Sequence, residues 1–95
     1  MSVGTIAEVT EVANAGTLNI KPSTASGEWI VHNIYLVNGA TSNIYFTDGT
    51  HSILIDTFTE SWTNMYSHCT YTHYLRVINN AGASSDIGYD GVSIV

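Results

Sequence analysis

Asn43-Ile44-Tyr45-Phe46-Thr47-Asp48-Gly49-Thr50-His51-Ser52-Ile53-Leu54-Ile55 reads as two β-strands folded back on one another. Aromatic and β-branched side chains suit a pleated, half-buried surface. Asp-Gly between them tolerates the positive φ angles of a type I′ turn, whose twist matches the strands that it joins. Strands are therefore expected at Asn43–Thr47 and Ser52–Thr57, joined through Asp48-Gly49.

Working outward, the same kind of run, bounded by Gly, Asn, Ser and Asp, recurs at Gly4–Thr10, Thr17–Lys21, Glu28–Val37, Thr72–Asn79 and Asp86–Val95. Nowhere do apolar residues recur at the three- and four-residue spacing of a helix. Pro22 lacks an N–H for a ladder, and Ser23-Thr24-Ala25-Ser26-Gly27 favours turns, so these residues form a loop rather than a domain linker. Phe58 to Thr70 carries Trp62, Met65 and Tyr66 without a two-residue period, and it reads as an irregular strand or a turn of helix. The expectation is one all-β domain over residues 1–95, an antiparallel sandwich or barrel of about seven to eight strands, with residues 1–15 as an extended arm or an edge strand.

Strict alternation in Glu28–Val37 puts Ile30, His32, Ile34 and Leu36 on one face and Trp29, Val31, Asn33, Tyr35 and Val37 on the other. Both faces are largely apolar, which implies a central strand or one covered by a second subunit. Tyr74, Arg76 and Ile78 likewise oppose His73, Leu75, Val77 and Asn79. Arg76 stands mid-strand. It either pairs with a carboxylate such as Asp56, Asp86 or Asp90 at a subunit or loop contact, or extends from an edge to water.

Composition narrows the function. Lys21 and Arg76 are the only strong bases against eight acids, a net charge of −6, so the clustered cations that phosphate polymers and anionic membranes require are missing. Charged residues make up only 11% of the chain, a weakly solvated surface that suits life in an assembly. Cys69 is alone, so packing rather than a disulfide must hold the core. The start Met1-Ser2-Val3-Gly4 lacks a basic, apolar leader, and no run approaches the ~18 apolar residues of a membrane span. The chain reads as a protein made and used without secretion.

No local signature of a nucleophile, phosphate loop or metalloprotease helix occurs, so no catalytic residue is assigned and no enzyme activity is expected. His68-Cys69 and His73 have a spacing that contributes zinc ligands in other contexts, but His32 and His51 are not placed to complete a set, and no metal or cofactor is expected. Asp48, Asp86 and Asp90 near glycine turns lack the spacing of a calcium loop. Trp62, Tyr66 and Tyr71 are candidates for stacking on a sugar, set against the commoner use of aromatics in cores and interfaces.

The runs Ser26-Gly27-Glu28-Trp29-Ile30-Val31-His32-Asn33-Ile34-Tyr35, Asp48-Gly49-Thr50, Tyr74-Leu75-Arg76-Val77 and Ile87-Gly88-Tyr89-Asp90-Gly91-Val92 together resemble the small β-sandwich proteins that decorate or cement the capsids of tailed bacteriophages. The resemblance covers residues 20–95 and is one of architecture. It implies a jelly-roll-like subunit, commonly a trimer, on the outer capsid surface, braced against the major capsid protein. Which loops touch the capsid does not carry over from the family; by position, Trp29, Val31, Tyr35, Arg76, Pro22 and Ile6 are the expected subunit or capsid contacts, within Met1–Ala15, the Pro22–Gly27 loop and the two-faced strands. The alternative is a carbohydrate-binding module of a tail fibre or lectin-like oligomer. A tail or baseplate subunit shares most expectations with the first reading.

Overall fold

The computed structural model describes residues 4–94. Its elements are β1 (Gly4–Val12), β2 (Thr17–Ile20), β3 (Glu28–Leu36), β4 (Ser42–Thr47), β5 (Ser52–Phe58), β6 (Ser67–Thr70), β7 (Tyr74–Asn79) and β8 (Ser85–Ser93). They form two four-stranded sheets, ordered β1-β8-β3-β6 and β2-β7-β4-β5, with every pairing antiparallel. This is the strand order of a jelly roll: each sheet collects alternate strands of two Greek keys. The chain is an all-β sandwich, and the N-terminal segment is an edge strand paired to β8 from Gly4 to Val12. Met1 to Val3 of the expected arm, and Val95 at the end of the expected last strand, lie outside the described residues.

The core lies between the sheets. Ile20, Leu75, Val77 and Ile44 from one sheet meet Val31, Ile34, Cys69, Ile87 and Tyr89 from the other, all buried. Each aliphatic side chain so enclosed contributes about 1.5–3 kcal/mol relative to exposure. Asn79 is buried among them and bonded: its Nδ2 donates to the carbonyls of Val12 and Ala83 at 2.8 and 2.9 Å, while its Oδ1 accepts from Ala81 N at 2.9 Å.

β3 is central, as its two apolar faces require, but its alternation breaks once. Val31 pairs with Gly91 and Asn33 with Asp90, leaving His32 as an extra residue in a bulge. The bulge reverses the parity, so Val31, Ile34 and Leu36 all join the main core cluster while Ile30, although buried, lies outside it. The expected face sets of this strand are corrected accordingly. In β7 Leu75, Val77 and Asn79 are buried inward as expected and Arg76 and Ile78 are half-buried, but Tyr74, expected beside them, is buried with the core.

The β4–β5 hairpin forms between the expected strand ends but with a different turn. Thr47 pairs with Ser52, leaving four residues, Asp48–His51, in the connection. Only Gly49 takes a positive φ, +95°, so the turn is not type I′. Asp48 closes it with its side chain, whose Oδ1 accepts from Thr50 N at 2.9 Å and His51 N at 2.7 Å. Between Phe58 and Thr70 the chain contains β6 and an isolated bridge from Trp62 to Ile34, with Trp62 stacked on Phe58 at 4.9 Å.

Candidate functional site

Paired residues in adjacent antiparallel strands share a face, so Ile20, Leu75, Phe46 and Ile53 form one row across the inner side of the β2-β7-β4-β5 sheet. Their exposures climb along it: 0%, 1%, 38% and 71%. The row runs out from under the opposite sheet, because β6 is only four residues long and packs across the sandwich against β7. At the other end of β5, Phe58 and Trp62 fold over the core. The hairpin end is bare.

β5 is also an outer strand of its sheet, so one side of its backbone lacks a neighbouring strand. Ile53, Leu54 and Ile55 are exposed at 71%, 50% and 43%, and Leu54 lies in the outer-face row with Tyr45, Arg76 and Asn19. Natural edges are usually blunted by lysine, proline or inward charge. β5 carries neither Lys nor Pro; what interrupts its apolar edge is the bulge at Ile55 and Asp56, which lies opposite Ile44 on the inner side. A shallow hollow lined by Phe46, Asp48, His51, Ile53 and His73 adjoins it, with Phe46 and His73 stacked at 6.2 Å. Asp48 is held down to about 2 from 3.8, chiefly by the His51 and Thr50 N–H donors, and it lines the hollow together with the two histidines.

The expected contact residues scatter. Val31 is wholly enclosed in the core and Pro22 is fully buried, so neither is available on the subunit surface; both are corrected by the bulge in β3 and by the closure of the Pro22–Gly27 loop through the Gly27 N to Thr24 O bond. Trp29 and Ile6 are half-buried against the core, Trp29 tilted on Tyr89 at 6.0 Å. Tyr35 is exposed on the outer face of β3, its hydroxyl donating to Asp90 Oδ2 at 2.7 Å, where Asn33 Nδ2 donates to Oδ1 at 2.7 Å. These two donors, Tyr35 first, hold the Asp90 carboxyl below its ordinary value. Arg76 meets none of Asp56, Asp86 and Asp90 within the chain: its Nε donates to Asn19 Oδ1 at 3.1 Å and its Nη2 to Tyr74 Oη at 3.4 Å.

Trp62, Tyr66 and Tyr71 do not build one stacking platform. Trp62 lies on Phe58, Tyr66 sits edge-on to His32 at 6.1 Å, and Tyr71 covers the Lys21 ammonium at 4.4 Å, with Tyr66 and Tyr71 at opposite ends of β6. His68, Cys69 and His73 do not converge either. His68 bonds Glu28 Oε1 at 2.8 Å on the outer face, whereas Cys69 is buried in the core, which pushes its thiol pKa up. Among the described residues no group of three or more His, Cys, Asp and Glu side chains is placed to hold a metal ion.

The bare β5 edge was absent from the sequence expectations. Ile53-Leu54-Ile55 is apolar at both parities, a signal that was readable, but the same pattern equally describes a covered strand. No protein-family model matches the chain, and no curated protein matches it in sequence.

Proposed function

We propose that the chain is a structural virion protein that decorates and stabilises a capsid surface through protein–protein contacts, with the major capsid protein as partner. The observation that carries this reading is the apolar, unpaired β5 edge, a surface that marks the chain as one built to be covered by protein, a second copy of itself included. Its support is threefold. The jelly-roll order agrees with the architecture that the resemblance implies, the charge-poor composition suits permanent contacts, and the acidity suits an outer position away from packaged DNA. Homo-oligomerisation belongs to the proposal, and the trimer implied by the resemblance is left to a measurement of mass.

The test is co-sedimentation with empty shells of the virus that encodes the chain. Saturable binding that raises the temperature at which the shells disrupt is expected. Protein that stays in the supernatant, together with selective binding on a glycan array, would replace this reading with the carbohydrate-binding one.

A further inference from the structure

Ser52-Ile53-Leu54-Ile55-Asp56 has nearly the same chemistry read in either direction: polar, Ile, Leu, Ile, polar. We infer that β5 pairs antiparallel with β5 of a second copy of this chain across a two-fold axis at Leu54. The inference deepens the assembly reading and rests on it.

An unpaired strand edge is satisfied by another strand, and among strands only an antiparallel copy of itself makes a closed, isologous contact. About Leu54, Leu54 faces itself and Ile53 lies across from Ile55 of the second copy, while the bulge at Ile55 turns Asp56 to the inner face with Ile44, away from Ser52 on the outer face. No acid opposes an acid. That matters for a chain of net charge −6, in which two copies approach most readily where charge is sparse. Moving the axis two residues on, to Asp56, would set carboxylate against carboxylate, so the register is chosen by charge as well as by apolar match.

The antiparallel arrangement also brings the C-terminal half of one β5 beside the Ile53 end of the other, at the mouth of the hollow lined by Phe46, Ile53 and His73. Each copy thereby covers the part of the inner face that β6 leaves bare. Against β4, Ile44 pairs with Asp56 and Tyr45 with Leu54, so Ile55 is bulged. The extra twist of a bulge limits the new pairing to these few residues. Using both β5 edges at once closes the contact into a pair and leaves no β5 edge for an open-ended sheet.

Leu54→Cys tests the geometry, because directly opposed residues of an antiparallel pair have Cα atoms about 4.5–5.5 Å apart, within disulfide range. Cys69 is buried and does not compete. Under mild oxidation Leu54→Cys is expected to cross-link to a covalent dimer at least tenfold faster than Val37→Cys, which is equally exposed elsewhere. Adding Ile53→Lys should abolish that advantage while the circular dichroism stays that of the parent. Cross-linking of Leu54→Cys no faster than Val37→Cys, or insensitive to Ile53→Lys, overturns the inference. Shell binding measured on the same variants separates this failure from failure of the capsid reading: uncross-linked protein that still binds shells leaves that reading standing without the two-fold contact.

Discussion

Gly91 lies directly across from Val31, so close to the β3 backbone that a Cβ at this position would collide with the carbonyl oxygen of Ile30. The obstacle is main chain in a central strand, which cannot swing aside as a flexible side chain would. Gly91→Ala is expected to cost about 3 kcal/mol, the upper end for an overpacked site. Urea denaturation checks it, and a loss below about 1 kcal/mol would mean that β8 and β3 separate more easily than the bulge beside them implies.

Asn79 joins the end of β1 to the turn before β8 through one buried amide. Asn79→Ala leaves the Val12 and Ala83 carbonyls without that donor, and stability should fall by about 3 kcal/mol. Hydrogen exchange should then quicken first at Ala81, whose N–H loses its acceptor.

The Tyr35 hydroxyl is the first cause of the lowered Asp90 pKa. Removing it by Tyr35→Phe should move the Asp90 titration upward, read from its carboxyl carbon by NMR. Because the folded-state value lies below the unfolded one, the stabilisation from this carboxylate is present above the ordinary range and is lost as pH falls. An unmoved titration would show that the Tyr35 to Asp90 bond does not persist in solution.

Asp48 presents the same sign more strongly. Its loop-closing bonds favour the carboxylate, so their contribution is complete above 3.8 and disappears as pH falls through about 2. The amide shifts of Thr50 and His51 should titrate with a midpoint near 2, and Asp48→Ala should abolish that step. A midpoint near 3.8 would mean that the carboxylate is not the cap of the hairpin.

The residues that announced the fold are those whose chemistry is local. The hairpin around Asp48-Gly49, the break at Pro22 and the inward set Leu75, Val77 and Asn79 follow from turn propensity and alternation. What was illegible is set by tertiary context. The bulge at His32 hides in a strand that is apolar at both parities, so either alignment of its faces satisfies the pattern. β6 is Ser67-His68-Cys69-Thr70, polar and four residues long, and it is a strand because β3 supplies its ladder rather than because of its own propensity. Ala15 adopts φ +63° without being glycine, in a turn tied to Asn79 by the Ala15 N to Asn79 O bond. The β5 edge emerges only once strand order is known, since exposure of Ile53 depends on how far β6 reaches.

The claim that this chain associates with itself through β5 is met most directly by the absolute mass of the purified protein, measured by light scattering across a concentration series. The account predicts a stable multiple of the 10.3 kDa chain that reverts to a single chain in Ile53→Lys. A single-chain mass throughout, unchanged by Ile53→Lys, would contradict it.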